Sequence, residues 1–294
     1  MKMNKKHTAF SLMELSIVIL IISIITAGIT QSSKLISSFR LSSSRNLTQN
    51  SPVSATEGLV GWFESVSVAS FADAETNNGS QVSQWNDINP QSSLKKSLTQ
   101  PTAGNRPTYT LSAINGIPAL KFTSSSSQYL EFPFSGDFNQ KNFTIFAVVQ
   151  PTAAPTGNGA IISSVTEATF KGYAMYLTSG SQYQTWLGSV AASAWQGTTI
   201  SAAGAANNTA LLTAVYDGTN YRFYFDGAQV GANLAVNFDP NILRVLRIGA
   251  AGNDTTTATS FFNGYIGEII IYGRALKNDD RTPIEAYLTK KWGL

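Results

Sequence analysis

The side chains that carry most hydrolytic and redox chemistry are scarce in this sequence. Among 294 residues there is no cysteine and a single histidine, His7. Thiolate nucleophiles, disulfides and zinc–thiolate sites are therefore excluded. What remains for catalysis is carboxylate chemistry. Retaining hydrolysis of a glycosidic bond needs two acids about 5–5.5 Å apart, which on one strand means acids two residues apart on a shared face. Glu268 is the one strand acid in an apolar setting, and its same-face neighbours are Ile266 and Ile270. Asp279 and Asp280 are adjacent, so they point apart, in a turn ahead of a helix. No catalytic residue is expected, and the chain does not read as an enzyme.

Binding chemistry has better candidates. Trp186 and Trp195, near Tyr183 and Gln184, lie in a Ser-, Ala- and Gly-rich stretch that reads as loop. Aromatic faces beside amide side chains suit a sugar ring. The same tryptophans also fit a core or a sheet face, and Trp62 and Trp85 read as core. Asp87, Asp137 and Asp254 fall in turn-rich segments and offer the oxygen ligands that calcium takes. Turn aspartates are more commonly solvated, and no EF-hand-like spacing accompanies them. No other cofactor is expected.

The elements that must position these residues begin with an apolar run. Phe10 to Ile29 holds one charge, Glu14. Twenty helical residues span roughly 30 Å, the thickness of a bilayer hydrocarbon core. Lys2, Lys5 and Lys6 precede any acid and equal the whole formal charge of +3, so residues 1–9 are expected on the cytoplasmic side. No arginine-rich stripe accompanies the pI of about 9.0, and nucleic acid is not an expected partner. A carboxylate near the middle of such a helix costs about 2.5–3.5 kcal/mol, somewhat less near an end. Glu14 therefore reads as functional and in need of a partner.

Lys5-Lys6-His7-Thr8-Ala9 followed by Phe10-Ser11-Leu12-Met13-Glu14-Leu15 closely resembles the N-terminus of type IV prepilins and type II secretion pseudopilins. The resemblance implies cleavage by a prepilin peptidase between Ala9 and Phe10, followed by N-methylation of Phe10. Ala9 departs from the glycine usual in that position. Glu14 becomes the fifth mature residue, and the family implies that it neutralises the terminal amine of a neighbouring subunit in a filament, where pairing makes a buried charge tolerable. Removal of the leader also removes His7, and with it any Ser-His-Asp triad.

Residues 10–45 are read as the transmembrane and stem helix, with Leu35, Ile36 and Phe39 on one face and Lys34, Arg40 and Arg45 at the outer headgroups or in a filament core. Residues 46–56 are read as a polar linker and 57–294 as the head. In the head, Phe143–Val149, Leu211–Tyr216 and Tyr221–Phe225 are strands, and Asp226-Gly227 supplies a hairpin turn. Turn signals throughout indicate an antiparallel sandwich. Residues 282–292 are read as a C-terminal helix opened by the capping box Thr282-Pro283-Ile284-Glu285. It packs through Ile284, Tyr287, Leu288 and Trp292, with Lys290 and Lys291 complementing its C-terminal dipole.

In order along the chain, Leu59–Phe63, Val82–Asp87, Asn115–Phe122, Phe143–Val149, the Tyr221–Gly227 hairpin, Ile248-Gly249 and Phe262–Ile269, ending in Arg274-Ala275-Leu276, resemble the laminin G-like, concanavalin A-like jelly-roll family. The implied fold class is mainly β, an antiparallel jelly-roll sandwich preceded by a long N-terminal transmembrane helix. The implied protein is a type IV pilin-like filament subunit, a minor pilin or pseudopilin, displaying a lectin-like head. Its expected partners are the prepilin peptidase, other pilin or pseudopilin subunits, the bacterial inner membrane before assembly, and a glycan or surface protein. The alternatives are a membrane-delivered lectin module and, remotely, a carbohydrate-active enzyme. Without residues 1–9 the formal charge falls from +3 to zero, and the head alone carries −2.

Overall fold

A computed structural model describes residues 12–200, 204, 206–252 and 257–294 of the protein. The helix α1 (Leu12–Gln49) runs for 38 residues, roughly 57 Å at 1.5 Å per residue. Its Leu12–Ile29 stretch has mean hydropathy 2.5 and none of it is buried, so it is long and apolar enough to cross a membrane. The hydroxyls within that stretch do not interrupt it. Ser16, Ser23 and Thr26 donate to the carbonyls of Leu12, Ile19 and Ile22 at 2.7–2.8 Å, which satisfies them within the helix where no water is present.

The expected linker at 46–56 is not a linker. Asn46–Gln49 form the last turn of α1, and Pro52–Ser54 make a short 3₁₀ turn with Val53 buried. Pro52 halts the α-helix because it disfavours helical backbone at the residue before it. Polarity here means docking, since the groups face partners on the head. Thr48 lies 3.4 Å from the Tyr287 hydroxyl, the Tyr272 hydroxyl donates to the Val53 carbonyl at 2.9 Å, and the Gln91 amide reaches the carbonyls of Ser54 and Thr56. Arg40 and Arg45 turn the same way, donating to the carbonyls of Asn115 and Val66 at 2.9 and 2.7 Å.

The head is a two-sheet antiparallel sandwich. One sheet runs, edge to edge, through Ala228–Ala235, Asn220–Phe225, Ala210–Tyr216, Phe143–Pro151, Gly264–Tyr272, Ile117–Phe122 and Thr108–Ile114, with Leu59–Glu64 also paired to Gly264–Tyr272. The other runs through Ala194–Ile200, Tyr183–Ser189, Lys171–Thr178, Asn158–Thr166, Leu246–Ile248, Leu130–Phe132, Leu98–Thr99 and Gln84–Trp85. Side chains alternate between faces along each strand, and the two faces of the first sheet are both buried. Ile145, Ala147 and Val149 enter the core between the sheets, while Phe146 and Val148 enter a second core on the outer face. That explains the uninterrupted apolar run Phe143–Val149. The Asp226-Gly227 turn has φ of +48° and +80°, the left-handed pair that a two-residue hairpin of this twist requires.

The outer core is closed by α2 (Asn278–Trp292), whose Ile284, Tyr287, Leu288 and Trp292 are buried as expected. The helix starts four residues earlier than the capping box suggested. Asp279 and Asp280 occupy its first turn, where carboxylates oppose the helix dipole favourably, and Asp280 is held by Arg274 at 2.6 Å. Thr282 therefore lies inside the helix, donating to the Asn278 carbonyl at 2.8 Å, and Pro283 is an interior residue. Gly293 ends the helix at φ +70°. Across the sheet, the Arg281 guanidinium lies 3.8 Å from the Tyr224 ring centroid.

Candidate functional site

Two clusters concentrate the chemistry, one sealed and one open. The sealed cluster is built around Glu268. A β-bulge between Ile266 and Glu268 advances the strand by one residue, so Ile266 faces the inter-sheet core while Glu268 and Ile270 face α2. Ile266 is thus not the same-face neighbour expected from strict alternation. At the bulge, a Cβ on Gly267 would lie 2.6–2.8 Å from the Trp292 ring, so glycine is what lets α2 approach.

A second acid joins Glu268, contrary to expectation. Antiparallel pairing sets Glu64 opposite Glu268, and the Lys291 ammonium bridges them at 3.0 and 2.8 Å. Glu268 also accepts from Trp62 Nε1 (2.8 Å), the Tyr287 hydroxyl (2.9 Å) and Trp292 Nε1 (3.0 Å). Glu64 Oε2 accepts from the Val66 amide at 2.7 Å, but its Oε1 is buried with no hydrogen-bond partner. Lys291, expected to complement the dipole at the helix end, is buried here, while Lys290 is exposed. Burial pushes the Glu64 carboxyl above its ordinary value of 4.5, with Lys291 opposing and Glu268 adding to the rise. The two carboxylates raise the Lys291 ammonium against the lowering effect of burial. Both acids are held inside the molecule by α2, so this pair functions as a packing device.

A raised acid stabilises the folded state while it keeps its proton and loses that contribution as pH climbs through its folded value. The Glu64 contribution is therefore complete below pH 4.5 and declines as pH rises through the raised value. The raised Lys291 value adds a loss that starts only above pH 10.5. Glu64→Gln is expected to flatten the acid-side decline, read as the difference between variant and wild-type urea midpoints at several pH values from 4 to 8. A constant difference across that range would remove Glu64 as its source.

Among the described residues, the calcium candidates Asp87 and Asp137 are each engaged with other partners. Asp87 is buried, with Oδ1 accepting from the Trp62 and Asn89 amides at 3.0 Å and Oδ2 from the Lys96 amide at 3.3 Å. Its oxygens face backbone donors because they fasten a turn to the first strand. Asp137 pairs with Lys96 at 3.0 Å, and Asp254 lies outside the described residues. Among the described residues, no three His, Cys, Asp or Glu side chains are placed to hold a metal ion.

The open cluster lies on the outer face of the second sheet. Trp186 and Trp195 are strand residues, in Tyr183–Ser189 and Ala194–Ile200, not loop residues. Trp186 pairs with Gly197 on one side and Ala174 on the other. Trp195 and Tyr176 are then its diagonal same-face neighbours, and the small Gly197 and Ala174 leave room beside the indole. The three rings, with Asn158, Val165, Glu167 and Ala174, line a cleft of about 250 Å³. Trp186 Nε1 donates to Gln184 Oε1 at 3.1 Å, and the Trp195 ring meets Phe170 edge-on at 6.4 Å. Burial and then the nearby Glu167 charge push the Tyr176 hydroxyl above its ordinary value. Asn158 also borders a second hollow of about 370 Å³ lined by Ser124, Ser125, Thr156, Ser260 and Phe261.

Tyr183 does not belong to this cleft. It stands three residues from Trp186 and so faces the opposite way, into the inter-sheet core beside Phe225. Tyr176 takes its place, and its outward phase is readable from the inward Tyr173, Met175 and Leu177. Trp62 and Trp85 are core residues, as expected.

The family model for the concanavalin A-like lectin/glucanases superfamily, of laminin G type, matches residues 124–280, more than half of the chain. The chain belongs to that superfamily. The match takes in the strands between Asn158 and Ile200 that build the aromatic cleft and six of the eight strands of the second sheet. Among solved structures, this lectin-like chain is similar to a Trypanosoma rangeli sialidase complex at 16% identity and TM-score 0.49, covering 80% of this chain and 33% of that one. It is similar to the CBM40 module of Ruminococcus gnavus IT-sialidase bound to α2,3-sialyllactose at 14% identity and TM-score 0.46, covering 57% and 93%. A leech intramolecular trans-sialidase is similar at 15% identity and TM-score 0.43, covering 51% and 25%. The chain thus spans a quarter to a third of the leech and trypanosomal enzymes. No curated protein matches it in sequence.

Ala9 and Phe10 lie outside the described residues. Glu14 lies in the first described turn of α1.

Proposed function

We propose that the protein is a type IV pilin-like subunit, a minor pilin or pseudopilin, that presents a glycan-binding lectin-like head on a membrane-derived stem. The observation that carries this reading is the division of the sandwich into two unlike outer faces. One face is closed by α2 and the docked end of α1, including Thr48 and Arg45. The other holds the open cleft of Tyr176, Trp186 and Trp195. A head fastened through one face leaves the aromatic face directed away from its anchor.

The stem supports the same reading. Its apolar Leu12–Ile29 segment is exposed along its whole length, and Glu14 sits near its start. As a precursor it resides in the bacterial inner membrane with the head periplasmic. A prepilin peptidase cuts between Ala9 and Phe10 and methylates Phe10, and the helix then packs among other subunits, bringing the head to a pilus, pseudopilus or cell surface. The sealed carboxylates are buried under α2 and the cleft is lined by aromatic rings, which supports reading the head as a binding module.

Mass spectrometry of the membrane-expressed protein is expected to find a mature chain starting at methylated Phe10. An intact Met1 start, or cleavage near Ala27-Gly28, removes the pilin reading. Glu14→Leu is expected to leave membrane insertion intact while abolishing filament incorporation, and normal filaments from that variant remove the charge-pairing role. For the head, a glycan array probed with the full-length protein in detergent is expected to give hits that Trp186→Ala loses.

A further inference from the structure

One of the described residues lining the aromatic cleft carries a charge. From Gly172 to Tyr216 the sequence contains no charged residue, so the strand bearing Tyr176, the hairpin bearing Trp186 and Trp195, and the segment that follows them are neutral. Among the described residues lining the cleft, Glu167 is the one with a charge, and no Lys or Arg is among them. Lys171, the nearest cation along the chain, is also absent from the lining. The carboxylate stands close enough to Tyr176 to raise the hydroxyl after burial has done so. Three aromatic rings line the cleft with it, and the face of such a ring carries a negative quadrupole. A carboxylate beside three aromatic faces attracts an ammonium and repels an anion.

We infer that this cleft selects glycans carrying a protonated amine over their N-acetylated counterparts and rejects glycans that present a carboxylate. The inference rests on the glycan-binding reading and adds the ligand class. The sugar's apolar C–H face lies on the Trp186 or Trp195 indole, its ammonium faces Glu167, and the Asn158 amide offers a donor and an acceptor to a hydroxyl. N-acetylation removes the positive charge. A carboxylated sugar meets the like charge of the Glu167 carboxylate, and the described lining residues include no Lys or Arg.

Three probes test this with the full-length protein in detergent at about pH 6, where a sugar amine is largely protonated. They are glucosamine tetramer, N-acetylglucosamine tetramer and sialyllactose, followed by calorimetry and by tryptophan fluorescence. The glucosamine tetramer is expected to bind about 3- to 30-fold more tightly than its N-acetylated form, the scale of a partly desolvated cation–aromatic contact. Sialyllactose is expected to bind weakest. Glu167→Gln is expected to bring the amine-to-acetyl ratio near one while binding of the N-acetylated tetramer persists. Sialyllactose binding as tightly as the amine, or an unchanged ratio in Glu167→Gln, overturns the inference and leaves the glycan reading standing. Binding of other neutral glycans through Trp186, with no preference for the amine, does the same. Failure to bind these probes and every member of a broad glycan array overturns the glycan reading and this inference together.

Discussion

Replacing Lys291 with methionine is expected to destabilise the head by about 3–5 kcal/mol, the usual cost of removing one partner from a buried ion cluster. Among the described residues, Lys291 is the cation that pairs with Glu64 and Glu268, at 3.0 and 2.8 Å, and both carboxylates are buried. Glu64 already has one oxygen without a hydrogen-bond partner, so losing the ammonium leaves it with the Val66 amide alone. The change is read as a lowered urea midpoint with an unchanged denaturant slope. Lys290→Met, on the exposed side of the same helix turn, is expected to change stability by less than about 0.5 kcal/mol. Combining Lys291→Met with Glu64→Gln and Glu268→Gln is expected to recover part of the loss, because no charge is then buried unpaired. A Lys291→Met protein as stable as wild type would show that the cluster does not hold α2 in place.

The loss should also reach the stem. The Tyr287 hydroxyl donates to Glu268 and lies 3.4 Å from Thr48 of α1, so the cluster and the docked end of the stem share one residue. Protease sensitivity near Ser51–Ala55 is expected to rise in Lys291→Met along with the drop in midpoint.

Trp186→Ala is expected to weaken glycan binding by about tenfold to a hundredfold, the scale of losing a central aromatic anchor, while leaving the fold intact. Trp186 is half-buried on the outer face, opposite Ala174 and Gly197 and diagonal to Trp195 and Tyr176, so its removal takes the middle of the cleft and no part of the inter-sheet core. Trp195→Ala, at the cleft's edge against Phe170, is expected to lose less. Tyr183 supplies the contrast. Its hydroxyl is buried without a hydrogen-bond partner, and Tyr183→Phe is expected to leave binding unchanged and the fold at least as stable. Titration by tryptophan fluorescence, with circular dichroism as the fold control, separates these outcomes. A Trp186→Ala protein that binds as well as wild type would move the ligand away from this face.

Local pattern was enough for much of the fold. The apolar run, the strands Phe143–Val149 and Leu211–Tyr216, the Asp226-Gly227 turn and the buried face of α2 each follow from side-chain spacing within a dozen residues. Local pattern misleads where two signals compete. The capping box at Thr282 was a sound signal, but Asp279 and Asp280 made a better first turn with Arg274 to hold one of them. Residues 46–56 looked like a linker because they are polar, and polarity does not distinguish a solvated backbone from one bonded to another part of the molecule. Trp186 and Trp195 looked like loop residues because small neighbours dilute the strand signal, and those small residues are what make space beside the indole.

The candidate sites were half legible for a related reason. Trp186 and Trp195 could be named from residue type, yet which aromatics join them depends on register. A hairpin shifted by one residue would have turned Trp186 inward and Tyr183 outward. Glu64 is not legible as a partner of Glu268 because the two lie 204 residues apart in sequence and meet through the pairing of Leu59–Glu64 with Gly264–Tyr272.

The sequence by itself determined the charge asymmetry, with three lysines ahead of an apolar run and a slightly acidic head behind it. It also determined the want of cysteine and histidine chemistry in the head and the alternation that makes a sandwich. These are properties of composition and short-range period, and folding does not alter them. Only the tertiary structure decided that Lys291 is a buried bridge and not a helix-end charge, and that Glu268 has a second acid beside it. It also decided that Tyr176 stands with the two tryptophans where Tyr183 was expected. Each of these depends on strand register, a bulge at Gly267 or the docking of a helix, and such long-range geometry leaves no mark on the residues immediately around it.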